Sequence, residues 1–121
     1  MSQYLTREQI LQADDLKTES VEVVEWGGMV LMRGLTGTER DALEGSMIEI
    51  RGKSRQLKLE NIRAKLVAMT IVDENGKRLF SDDDDVRELG RKSAAALQRV
   101  FEVAQRLSGL RAEDVEELVK N

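Results

Sequence analysis

Apolar and polar positions along this chain fall into blocks whose period switches between two residues and about 3.6, and the switches mark the expected strands and helices. Val21 to Leu35 (VEVVEWGGMVLMRGL) holds two aliphatic runs around Gly27-Gly28. A glycine pair between such runs predicts a hairpin, because tight hairpin turns need the positive φ that glycine adopts without steric cost. A two-residue turn sets Trp26 opposite Met29, Val24 opposite Leu31, Val23 opposite Met32 and Glu22 opposite Arg33, which pairs aliphatics with aliphatics and a carboxylate with a guanidinium. Both faces are then apolar: Val24, Trp26, Met29 and Leu31 on one, Val21, Val23, Val30 and Met32 on the other. A ribbon with one solvated face alternates apolar with polar, so this one calls for a cover on each side, a third strand or a partner.

The rest of the chain reads mostly as helix. Thr6 with Gln9 makes a capping box that predicts a short helix over Tyr4 to Gln12, with Leu5, Ile10 and Leu11 as a small apolar face. Thr36 with Glu39 repeats the device and opens a helix from about Gly37 to Ile50, with Leu43, Met47 and Ile50 on one side. Arg51 to Arg55 is a basic break, and Leu59, Ile62, Leu66 and Met69 predict a helix over about Gln56 to Met69. A second hairpin is expected over Thr70 to Phe80, where an Asn75-Gly76 turn opposes Glu74 to Lys77, Asp73 to Arg78, Val72 to Leu79 and Ile71 to Phe80. Ser81 is expected to cap a helix whose first turn, Asp82 to Asp85, sets carboxylates at the positive end of the helix dipole. Lys92 to Leu107 carries Leu97, Val100, Phe101, Ala104 and Leu107 in one stripe, and Ala112 to Lys120 reads as a last short helix. The expected fold is α+β: a helix-dominated single domain over residues 1–121 with two β-hairpins.

Composition narrows the chemistry. Aromatic residues make up 3% of the chain, so the core must be aliphatic, and the net charge of -4 lacks the basic footprint that nucleic acid requires. With no histidine and no cysteine, the usual general bases, thiolate nucleophiles and zinc ligands are missing, and no enzymatic activity and no cofactor are expected. No apolar run approaches the roughly 20 residues that span a bilayer, and the N-terminal segment lacks the basic and apolar regions of a signal peptide. Gly52-Lys53-Ser54 matches the end of a phosphate-binding loop, but Met47 stands where the first glycine belongs and helix is expected where a strand should lead in. The acidic run Asp82 to Asp85 has Arg87 where a calcium loop needs glycine, and complementing the helix dipole accounts for it without an ion. Arg51, Lys53, Arg55 and Lys58 form the one basic cluster; a solvated face explains it, and an acidic partner is the alternative. Trp26, the only tryptophan, serves equally as a core anchor or as a binding hot spot.

Val21 to Asp41 (VEVVEWGGMVLMRGLTGTERD) resembles the tail assembly chaperones of long, flexible-tailed (siphovirus-type) bacteriophages. That family shows a V-x-V-x-E-W-G-G-x-V core, here Val21 to Val30, followed by R-x-L-T-x-x-E-R-D, here Arg33 to Asp41. Its D-x-x-G-x-x-x-F segment falls on Asp73, Gly76 and Phe80, and its closing amphipathic helix follows, so the resemblance runs through nearly the whole chain. Family members often carry proline before the Glu-Trp pair, where this chain has Val24. The resemblance implies a non-enzymatic morphogenesis factor that binds and solubilises the tape measure protein and helps recruit major tail (tube) subunits. It would act in the host bacterial cytoplasm and be absent from the mature virion, with homo-oligomerisation left open and with neither nucleic acid nor membrane as a partner. The competing reading is a small regulatory or nucleic-acid-binding domain that uses the basic 51–58 loop. Val24, Trp26, Met29 and Leu31 are the candidate partner-binding residues, as the hairpin face left uncovered once the other packs on the helices, by expectation through Leu97, Val100 and Phe101.

Overall fold

A three-stranded antiparallel sheet laid against one long helix organises the chain. The computed structural model describes residues 3–51, 54–57 and 61–110. In chain order these form α1 (Arg7–Gln12), β1 (Thr18–Val23), β2 (Gly28–Arg33), α2 (Gly37–Ser46), β3 (Ile48–Arg51), β4 (Ser54–Leu57), α3 (Ile62–Thr70), β5 (Ile71–Val72), α4 (Asp83–Gly90) and α5 (Ala94–Leu107). The strand order β1-β2-β5 makes β2 central, while β3 and β4 form a separate two-stranded ladder. The architecture is the helix-dominated α+β expected from the patterning.

Period-two alternation decides which side of the sheet is dry. Val21, Val23 and Met32 are buried, Ile71 joins them from β5, and α5 packs on this face with Leu97, Val100, Phe101 and Ala104. Helix α3 adds Ala64, Leu66, Val67 and Ala68, and α2 and α4 contribute Leu43, Met47 and Leu89. Burying an aliphatic side chain of this size stabilises by about 1.5–3 kcal/mol, so these faces dominate the stability of the domain. Two glycines permit close approach. A Cβ on Gly34 would overlap the Leu107 carbonyl oxygen and lie 2.9 Å from its carbon; one on Gly90 would lie 2.6 Å from Asn61 Oδ1.

Several expectations need correction. The β1–β2 ladder pairs Val23 with Gly28, Val21 with Val30 and Thr18 with Arg33, four positions from the two-residue-turn register, with each residue keeping its face. The connection is instead a 3-10 turn over Val24–Trp26, closed by Gly27 in the left-handed region at φ 77° with its N–H donating to the Val24 carbonyl at 3.1 Å. That turn lets Trp26 pack against the core, which a two-residue turn would have left outside.

The second expected hairpin is not a ladder. Strand β5 pairs with β2, Leu31 opposite Val72 and Met32 opposite Ile71, and the returning limb adds one bridge, Val72 to Arg78. Asp73 Oδ1 accepts from the Asn75 and Lys77 N–H groups and Gly76 sits at φ 84°, so the side-chain turn takes a third residue and shifts the register by one. Thr70 ends α3 instead of starting a strand, its hydroxyl donating back to the carbonyls of Leu66 and Val67.

The helix expected to reach Ile50 stops at Ser46, and β3 and β4 occupy the stretch read as a basic break and the start of the next helix. Gly45 weakens the helix end, and Ile48, Glu49, Ile50 and Arg51 alternate with the period of a strand. Asp82, not Ser81, caps α4, accepting from the Asp85 N–H at 2.8 Å. Ser93 caps α5, whose first residue, Ala94, comes two positions after the expected start at Lys92. The helix expected over Ala112 to Lys120 lies outside the described residues.

Candidate partner-binding site

The outer face of the sheet is set by the same alternation that fills the inner one. Met29 and Leu31 of β2 point outward, flanked across β1 by Glu22 and Ser20, and Val72 lies beside Leu31 on β5. Met29 is 64% exposed and Val24, on the turn, is 73% exposed. Leu31 is half-buried, and Trp26 is half-buried with its ring packed against the core. Of the four residues singled out in the sequence, Val24 and Met29 are open to solvent, Leu31 is half-buried on β2, and Trp26 packs against the core from the turn.

Ion pairs between β1, its turn and α5 hold this arrangement. Arg99 donates to both Glu25 oxygens at 2.5 and 3.0 Å, and Arg106, two turns further along α5, reaches Glu19 at 2.8 Å. The hydrogen bond from Arg99, then the turn's backbone, hold the Glu25 carboxyl below its ordinary value; the bond from Arg106 does the same for Glu19. Both arginines are raised in turn. These pairs are partly exposed, and their contribution is orientation more than stability.

Sequence reasoning missed a second polar centre. Glu39, expected only as the capping-box residue of α2, accepts from the Thr36 N–H at 2.9 Å, from Arg33 at 3.0 and 3.1 Å and from Arg78 at 2.5 Å. Burial raises its carboxyl, but the Thr36 N–H and the two guanidinium groups outweigh that and leave it below the ordinary value. Arg33 and Arg78 therefore meet Glu39 instead of their expected cross-strand partners, Glu22 and Asp73. The signal was the T-x-x-E spacing itself: its glutamate is held in place and can collect cations brought by β2 and by the limb after β5.

Among the described residues, the remaining candidates fall on a helix cap, on local ion pairs and on a strand ladder. Asp82 caps α4, Asp85 accepts from the Ser81 N–H, and Asp84 pairs with Arg87; among the described residues no group of three or more ligand-type side chains could hold a metal ion. Arg51 and Arg55 lie on the β3–β4 ladder, whereas Lys53 and Lys58 fall outside the described residues. A separate groove of about 180 Å³ is lined by Leu43, Lys65, Met69, Phe80, Asp82 and Val86. Among the described residues, no helix is long and apolar enough to cross a membrane.

A family model described as phage tail assembly chaperone matches residues 6–121. No curated protein and no solved structure matches the chain.

Proposed function

This chain belongs to the phage tail assembly chaperone family, and we propose that it acts by binding an amphipathic helical partner, the tape measure protein, through the outer face of its first strand pair. Membership places its action in the host cell during assembly, and the family is not an enzyme class. Our reading adds that it keeps the tape measure protein soluble in the cytoplasm, helps bring tail-tube subunits to it and leaves before the virion matures. The observation that carries the reading is the exposure of two apolar side chains, Val24 on the turn and Met29 on β2, with half-buried Leu31 two positions after Met29 on the same side of β2, while the opposite side of that sheet is filled by the protein's own core. An amphipathic helix has the complementary apolar stripe, and a partner side chain desolvated there would contribute about 1.5–3 kcal/mol.

Co-expression of the tape measure protein with this chain tests the proposal. Wild type should hold the tape measure protein in the soluble fraction and co-purify with it. Val24→Asp and Met29→Asp should lose that capture while remaining folded; Val23→Asp, which places a carboxylate in the core, should unfold the chain. No rescue by wild type would overturn the chaperone reading. Rescue by Val24→Asp and Met29→Asp equal to wild type would overturn only the assigned face.

A further inference from the structure

Among the described residues, no strand is bonded to the outer edge of β1. Gly34 donates its N–H to the Lys17 carbonyl at 3.1 Å, which extends the β1–β2 register by one pair and fixes which residues exchange bonds with β2. In an antiparallel ladder bonded and non-bonded pairs alternate, so Glu19, Val21 and Val23 turn their backbone groups toward β2, and Thr18, Ser20 and Glu22 turn theirs away. The latter three are exposed, β1 has no second strand neighbour among the described residues, and each of the three offers one donor and one acceptor to solvent. Such an edge is a template for another strand.

Charge selects the occupant. Glu19 and Glu25 are neutralised by Arg106 and Arg99, but Glu22, exposed on the outer face between Ser20 and the turn, makes no ion pair among the described residues. In a second copy paired antiparallel through Ser20, Glu22 would face Thr18 and its charge would stay without a counter-charge in the ladder, whereas a cationic segment pairs it. We infer that the β1 edge receives an extended segment of a partner protein, added as a fourth strand, with lysine or arginine on the side chains that flank Glu22. The backbone bonds supply binding and Glu22 supplies selection by charge. The inference uses a different surface and a different partner conformation from the helix-binding strip, and stands or falls separately from it.

Fluorescein-labelled, end-blocked hexapeptides of alternating valine and lysine, and of alternating valine and glutamate, test this by anisotropy against the full chain. The lysine peptide should bind saturably and the glutamate peptide should not. Ser20→Pro removes an outward N–H that carries no ladder bond, a position where an edge strand tolerates proline, and should weaken the lysine peptide about tenfold with the urea midpoint unchanged. Glu22→Lys should reverse the preference between the peptides. Hydrogen exchange of the Ser20 and Glu22 amides should be fast in the free chain and slow with the lysine peptide; should Ser20→Pro fail to fold, this measurement and Glu22→Lys decide. The inference is overturned if neither peptide saturates, if Ser20→Pro binds like wild type, if those amides are already protected in the free monomer, or if the edge proves to be filled by a second copy in a concentration-dependent dimer.

Discussion

Helices α1 and α2 open alike and end differently. In α1, Thr6 accepts from the Gln9 N–H at 3.2 Å and Gln9 returns the bond to the Thr6 N–H at 2.9 Å; in α2, Thr36 and Glu39 do the same at 3.1 and 2.9 Å. Yet α1 buries no residue, with Leu5, Ile10 and Leu11 all exposed, whereas α2 buries Leu43 and adds Met47 just past its end. The chain enters α2 through Gly34, pressed against the end of α5, and the α2 capping carboxylate gathers Arg33 and Arg78. The capping box fixes where a helix begins; membership of the domain is decided by what the helix face and the capping side chain can reach.

That contrast can be broken from either side. The largest effect is expected at the entrance to α2: Gly34→Ala drives a methyl into the Leu107 carbonyl, and urea unfolding should show a loss of about 3 kcal/mol, against no measurable loss for Gln12→Ala in α1. Next, Glu39→Ala leaves two guanidinium groups without their carboxylate, one of them on the half-buried Arg33, and should cost about 2 kcal/mol; Gln9→Ala should leave the unfolding midpoint where it is. The caps alone give a smaller difference. Thr36→Ala should cost about 1 kcal/mol, and Thr6→Ala should change global stability by less than about 0.3 kcal/mol while reducing helical circular dichroism.

The smallest effect is in pH. Folding holds the Glu39 carboxyl below its ordinary value of 4.5, so its contribution is present above that value and lost as pH falls through the lower folded one. Glu19 and Glu25 contribute with the same sign. Urea midpoints followed from pH 7 to pH 3 should therefore fall below about pH 4.5, and less steeply in Glu39→Gln than in wild type. A steeper fall in the variant would remove Glu39 as the acid-sensitive centre of α2.

The capping boxes of α1 and α2 and the dry face of the sheet were legible because each depends on neighbours a few residues away. Thr6, Thr36 and the alternation of Val21, Val23, Val30 and Met32 needed no knowledge of the rest of the chain. Legibility failed where two local rules competed. Leu43, Met47 and Ile50 satisfy a helical period while Ile48 to Arg51 satisfies a strand period, and the strand period won past Gly45. Asn75-Gly76 signals a two-residue turn, but the Asp73 side chain organises a longer one and moves Arg78 opposite Val72. The pattern placed Val24, Trp26, Met29 and Leu31 on one uncovered face; Val24 and Met29 are exposed, but Leu31 and Trp26 are half-buried, and Trp26 packs against a core that no local pattern could show it would meet. The T-x-x-E spacing fixes Glu39, but the arrival of Arg33 and Arg78 at it depends on segments that no local pattern brings together.

Strand β2 is bonded on one side to a neighbour joined by a four-residue turn and on the other to β5, about forty positions away. The two flanks are therefore reached at different entropic cost: closing the longer loop costs about 2 kcal/mol more than closing the shorter. The expected order of assembly is the β1–β2 pair first, with β5 carried in later on the end of α3, from which it continues without an intervening loop. Rate measurements on a mild truncation on each flank would read that order. Val21→Ala should slow folding, whereas Ile71→Val should act mainly by speeding unfolding. One strand would thus record, on its two edges, the early and the late halves of the same folding reaction.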